Sequence, residues 1–208
     1  MEWTLPHKNA DSRGNRRYFS LASSPTEKAP MLLVKFYSPS SSYKKALIDL
    51  SPAKPIIATF LAGDFTLPKD KNKKLVFIAG GVGIAPFRSM IKYLLDTNET
   101  RDIILIFINK QTEDILFHDL FLEAQRVGLK TYYFLTKKES VPQGWTGGVG
   151  HLDSSVIPQI IPDFEKRKFY ISGPQLMVQG IEKTLKSAGI SKKQIKTDFF
   201  PGYFEKAG

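Results

Sequence analysis

Two rhythms divide the chain. From Lys74 onward, short apolar runs alternate with stretches whose apolar residues recur at helical spacing. That alternation predicts strands at Leu75–Ala79, Ile103–Asn109, Thr131–Thr136, Phe169–Ser172 and Gln194–Phe199. Helices are predicted between them, at Ile84–Leu95, Asp119–Val127, Asp153–Ile160 and Gln175–Ala188. Before Lys74 the apolar pattern is strand and turn only, at Arg17–Ala22, Met31–Tyr37 and Pro55–Phe60, separated by Ser, Pro and Lys clusters. The fold class is therefore α/β plus all-β: a partial antiparallel β-barrel over residues 1–70, then a doubly wound parallel-sheet domain over 71–208. No internal repeat is visible, and low complexity is confined to Ser38–Ser42.

The first candidate chemistry is the turn Gly80-Gly81-Val82-Gly83 between an apolar strand and the helix that opens at Ile84. Residues without a Cβ let the backbone approach a pyrophosphate closely, and the helix N-terminus behind them offers unpaired N–H donors. Tight strand-to-helix turns also use glycine for steric reasons alone. Two further elements narrow the choice. One is Arg17-Tyr18-Phe19-Ser20, about sixty residues upstream on a strand. The other is Phe169 to Met177, a strand that breaks at Ser172-Gly173-Pro174 and reopens as a helix.

These three elements in this order resemble the signature of the ferredoxin-NADP reductase superfamily, and the likeness runs from about Glu2 to Tyr203. Similar members include the flavin modules of larger electron-transfer proteins. The resemblance implies an FAD-binding barrel, an NAD(P)-binding α/β domain, and hydride transfer from NADH or NADPH to the flavin, which then passes electrons to an external acceptor. Such chemistry asks for no general acid or nucleophile from the protein, only for two rings held in contact. A complete barrel of this kind occupies about 100 residues, whereas 79 precede Gly80 here. The resemblance therefore implies a barrel without its first strands, with Met1–Leu5 as the middle of a strand and the chain as part of a longer protein with a membrane part or partner.

On the flavin side, the resemblance implies that Arg17 pairs with the flavin phosphate and that Ser20 hydrogen-bonds near N5. Phe19 stands in the family's tyrosine place, where it stacks without the phenol's hydrogen bond; ordinary barrel core explains it too. Tyr18 belongs to the same motif. Ser41, Ser42, Tyr43 and Lys44 fall at the family's second phosphate loop, although a serine turn capping a helix accounts for them equally. On the nicotinamide side, Gly81, Val82, Gly83 and Ile84 are expected at the pyrophosphate, with Gly80 before them, Pro86 starting the helix and Thr136 approaching a ribose. Ser172, Gly173 and Pro174 replace the family's usual Cys-Gly-Pro near nicotinamide C4, with Met177 just beyond. Asp198 and Phe200 match the acidic and aromatic pair that closes the flavin face, and a last strand burying Phe199 or Phe200 is the plainer alternative. Lys110 is the cation placed to meet a 2′-phosphate, with Arg88 and Lys137 as helpers, or simply a solvated loop residue, and Asp114 nearby tilts the reading toward NADH.

The absence of cysteine excludes disulfides, cysteine-ligated zinc and an iron–sulfur cluster on this chain, so electrons must leave to something outside it. His7, His118 and His151 lie on separate segments and suggest neither a metal site nor a dyad. No apolar run reaches the roughly 20 residues of a membrane span and no signal peptide is recognisable, which points to the cytoplasm. The net charge of +10 suits an acidic carrier protein as electron acceptor. The lysine runs lack the interleaved aromatics of a nucleic-acid platform, so nucleic acid is not an expected partner. The competing class is a non-catalytic nucleotide-binding or scaffolding fragment of a larger protein, motivated by the missing strands and by Phe19.

Overall fold

Leu75–Gly80 is apolar throughout because both of its faces are covered, and it forms a central strand of the larger sheet. The fold is given by a computed structural model that describes residues 1–200. The first region contributes β1 (Glu2–Thr4), β2 (Arg16–Tyr18), α1 (Ser42–Ile48) and β3 (Ile57–Thr59). The second opens with β4 (Leu75–Gly80), α2 (Ala85–Thr97), β5 (Ile103–Asn109), α3 (His118–Glu123) and β6 (Leu129–Leu135). It continues through β7 (Gly148–Val149), α4 (Val156–Ile160), β8 (Lys168–Pro174), α5 (Gln175–Ser187) and β9 (Ile195–Phe200). β1 lies between β2 and β3 in an antiparallel three-stranded sheet, and the other six strands form a parallel sheet in the order β7-β6-β5-β4-β8-β9.

Alternation along β4, β5 and β8 splits the core into two layers. Phe77, Leu105, Phe107 and Tyr170 meet Phe87 and Ile91 of α2 and Phe121 of α3 on one face. Val76, Ile78, Ile104, Ile106 and Ile171 meet Ile157 of α4 and Val178 and Leu185 of α5 on the other. At the N-terminal edge of the sheet, buried Arg167 donates to Asp102 at 2.7 Å and to Asp163 at 2.6 Å, and Lys74 joins Asp163 at 2.7 Å. Arg167, followed by Lys74, holds the Asp163 carboxyl down at about 2.

Several expected elements are shorter or absent. The ladder expected over Arg17–Ala22 ends at Tyr18, and Leu21 makes only an isolated bridge to Leu32. The rest of Met31–Tyr37 forms no strand. Pro30 has no N–H to give, and Lys35 points away to Asp114 at 3.1 Å. Pro55–Phe60 contracts to β3, beyond which Phe60 takes a positive φ of 39°. The helix expected at Asp119–Val127 tightens into a 3-10 turn from Ala124 and ends at Gly128, whose φ is 90°. The one at Asp153–Ile160 starts three residues late because the Asp153 carboxylate accepts from the N–H groups of Ser155 and Val156. β7 has no counterpart in the sequence pattern. Among the described residues, no helix is long and apolar enough to cross a membrane.

Candidate dinucleotide and flavin site

The C-terminal edge of the parallel sheet carries a cavity of about 610 Å³. Its floor is the turn after β4, with Gly80, Gly81 and Val82, and its β5 and β6 walls bring Asn109, Lys110 and Thr136. β8 ends in Pro174 and α5 adds Leu176 and Met177, and Phe200 from β9 also lines the cavity. Gly81 has a φ of +51°, and nothing lies within 4 Å of where its Cβ would be. Both facts fit a backbone kept bare for a ligand, and α2 begins four residues on, with Pro86 in its first turn.

Gly83 has a different role. A Cβ there would lie 2.2 Å from the Ser172 carbonyl oxygen, so this glycine and Ile84 are packed behind the turn and do not line the cavity. Gly80 likewise faces Met177, whose sulfur would be 2.3 Å from an added Cβ. The three glycines therefore divide into one open position and two that let β4, β8 and α5 close on each other.

The expected nicotinamide and flavin residues meet at the ends of β8 and β9. Register pairs Ser172 with Asp198 and Pro174 with Phe200. Ser20 Oγ, from the first region, donates to Asp198 Oδ2 at 2.8 Å. Ser172 is fully buried and its Oγ has no hydrogen-bond partner. Pro201, Gly202 and Tyr203 of the expected tail lie outside the described residues.

The phosphate side of the flavin motif is arranged differently. Arg17 spends one nitrogen on the carbonyls of Arg13, Gly14 and Arg16 and the other on Asp11 at 3.1 Å, with its guanidinium 5.0 Å from the Tyr43 ring centre. Ser41 caps α1, and Ser42 Oγ accepts the Asp11 N–H at 2.9 Å. Tyr43 is wholly buried and donates to the Trp3 carbonyl. Burial pushes its hydroxyl up to about 12, against a small opposing effect of Arg17. Lys44 turns to the Lys35 carbonyl and the Tyr37 ring. Tyr18 points to the opposite side of β2, where its hydroxyl donates to Glu2 at 2.6 Å, because neighbouring strand residues face opposite ways. Phe19 packs 6.1 Å from Tyr43. Arg17, Phe19, Ser42 and Tyr43 thus form one cluster, from which Tyr18 is excluded.

Lys35, Tyr37, His151 and Leu152 also line the cavity, and sequence reasoning did not select them. Lys35 and Tyr37 come from the first region, and only tertiary contact brings them there.

A family model for the oxidoreductase NAD-binding domain matches residues 77–183, more than half of the chain. The chain belongs to that family. In fold the chain is similar to the ferredoxin-NADP+ reductase from Plasmodium falciparum, with a TM-score of 0.70, 21% identity and coverage of 96% of this chain and 81% of that one. It is 30% identical over 167 residues to NADH-cytochrome b5 reductase 1 of Pyricularia oryzae, covering 77% of this chain and 53% of that protein. It is 28% identical over 145 residues to the glycine betaine monooxygenase reductase subunit of Pseudomonas aeruginosa PAO1, covering 69% and 38%. The chain thus spans about half or less of the length of these two relatives. In fold it is similar to the Amycolatopsis cytochrome P450 reductase GcoB, with a TM-score of 0.77, 23% identity and coverage of 96% of this chain and 60% of that one. It is also similar to the cytochrome b5 reductase domain of Ulva prolifera nitrate reductase, with a TM-score of 0.72, 18% identity and coverage of 96% and 83%.

Proposed function

We propose that this chain is the working part of a flavin-dependent NAD(P)H oxidoreductase, with residues 1–70 as the flavin side and 71–208 as the nucleotide side. The observation that carries the proposal is the Ser20–Asp198 hydrogen bond beside Ser172, two residues along β8 and β9 from Pro174 and Phe200, which line the cavity. When bound, FAD would accept a hydride from the nicotinamide and release electrons to an acceptor outside the chain.

The chain's own contribution is binding and orientation. Gly81 and Val82 and the start of α2 would hold the pyrophosphate, and Thr136 and Lys110 would border the ribose. Phe200, two residues beyond Asp198 on β9, lines the cavity and would yield for nicotinamide to stack on the flavin. Phe19 and Ser20 would face the flavin, and Arg17 would meet its phosphate by exchanging its bond to Asp11 for one to the ligand. NADH is the better fit of the two nucleotides: the Asp114 carboxylate lines the cavity and neutralises Lys35, which disfavours a 2′-phosphate. An acidic carrier protein is the proposed acceptor and the cytoplasm the proposed setting.

The test is an absorbance titration with FAD followed by anaerobic NADH and, separately, NADPH. Bleaching of the bound-flavin band supports the proposal and ranks the nucleotides. Failure to bind FAD favours the second reading, a nucleotide-binding scaffold. That reading is motivated by the internal commitments of Arg17 and by a first sheet of only three short strands among the described residues.

A further inference from the structure

One face of α2 grips the segment that leads out of the flavin motif. Arg88 is 6% exposed and donates to the Ala22 carbonyl at 3.0 Å, to Glu27 Oε1 at 2.9 Å and to Glu27 Oε2. One residue on, Ser89 Oγ donates to the Ser23 carbonyl at 2.7 Å. Two turns further, Asp96 accepts from Thr26 and is held by Lys92. Glu27 is itself fixed, because its carboxylate also accepts the Ser24 N–H at 2.7 Å. The Arg88 hydrogen bond, the largest influence on the Glu27 carboxyl, holds it below its usual range.

The two ends of this grip lie close in sequence to the two halves of the site. Ala22 is two residues after Ser20, and Arg88 is five residues after Gly83, with rigid helix for most of that distance. A bidentate pair is geometrically strict, and removing the half-buried Glu27 would strand the buried Arg88 guanidinium. Hydride transfer depends steeply on such placement, since a displacement of about 1 Å can cost about a hundredfold in rate.

We infer that Arg88 is a positioning residue: with Glu27 and Ser89 it sets the flavin motif at a fixed distance and angle from the dinucleotide turn. This role rests on the oxidoreductase reading above. Arg88 touches neither ligand in it, and the cavity and glycine turn are complete without it.

The test compares wild type with Arg88→Met and, in case that variant does not fold, with the milder pair Glu27→Ala/Ser89→Ala. Three quantities are read: amide hydrogen exchange of the ligand-free protein, NAD+ affinity, and the single-turnover rate of flavin reduction by NADH. The expected result is exchange over residues 20–27 at least about tenfold faster with α2 still protected, NAD+ affinity within about twofold, and a transfer rate down about tenfold or more. Unchanged exchange over residues 20–27 overturns the inference, as does a transfer rate within about twofold once exchange has risen. A rate that falls only in proportion to lost flavin or lost NAD+ affinity overturns it too. Wild-type protein that binds NAD+ and FAD yet takes no hydride overturns the functional reading, and the positioning role with it.

Discussion

Ser20 and Asp198 are 178 positions apart in the chain and joined by a 2.8 Å hydrogen bond. The bond holds a hydroxyl from the flavin motif to a carboxylate of the last strand, one strand over from Ser172. Ser20→Ala is expected to leave the fold intact, at a cost of about 1 kcal/mol, and to slow flavin reduction by NADH about tenfold or more. Stopped-flow absorbance checks it; a rate equal to wild type removes Ser20 from the site.

Two glycines on the nucleotide side should respond in opposite directions to the same change. Gly83→Ala places a methyl against the backbone of β8, so a loss of about 1–3 kcal/mol and weakened NAD+ binding are expected. Gly180→Ala in mid-α5 meets nothing within 4 Å and should gain about 0.5–1 kcal/mol from helix propensity. Thermal melts of the two variants beside wild type decide the matter.

Arg17 is expected to serve both loop and ligand. Arg17→Ala should weaken FAD retention and also loosen the turn whose three carbonyls it ties. Arg17→Lys keeps the charge but not the fork, and should recover part of the FAD affinity with little of the stability. Fluorimetric FAD titration combined with denaturant unfolding separates the two effects, and FAD occupancy unchanged in both variants would exclude Arg17 from the site.

Acid should attack the sheet at its other edge. Asp163 is held at about 2, below the ordinary carboxylate value of about 4. Its contribution is therefore fully present above the unfolded pKa and is lost as pH falls through about 2. With allowance for solvent screening it amounts to roughly 1–2 kcal/mol at neutral pH. Asp163→Asn should lower stability at pH 7 and flatten its decline between about pH 4 and pH 2, as read by urea unfolding across that range. A variant with the wild-type acid slope would show that Asp163 carries none of it.

The parallel strands were legible because burial on both faces leaves uninterrupted apolar runs, as in Leu75–Ala79 and Ile103–Ile108. The glycine turn, Ser20, Asp198 and Phe200 were legible through a family pattern, and the structure brings Ser20 to Asp198. The small sheet was legible only in outline: its strands fall at Met1–Leu5, Arg17–Ala22 and Pro55–Phe60, but their true lengths were not legible. Its strands are three residues long, β3 is exposed throughout, and Pro30 and Pro55 stand at the head of the segments that look most strand-like. The internal engagement of Arg17 carried no local signal, since it depends on a turn folding back over six residues to Asp11. The Lys35–Asp114 pair spans 79 positions and is invisible to any periodicity. Tyr43, read as a ligand contact, is core because its hydroxyl reaches the Trp3 carbonyl, a relationship set by how α1 docks on β1.

α2 makes the dinucleotide turn and the Arg88 grip parts of one rigid screw. Each residue of an α-helix advances the chain by about 1.5 Å and turns it by about 100°. A single insertion between Pro86 and Arg88 would swing the guanidinium away from Glu27 while leaving every amino acid of both sites in place. Exposed loops such as residues 51–54 can absorb added length by bulging outward. The first turn of α2 cannot, so descendants of this chain should vary freely in the composition of that helix's exposed face and hardly at all in its count.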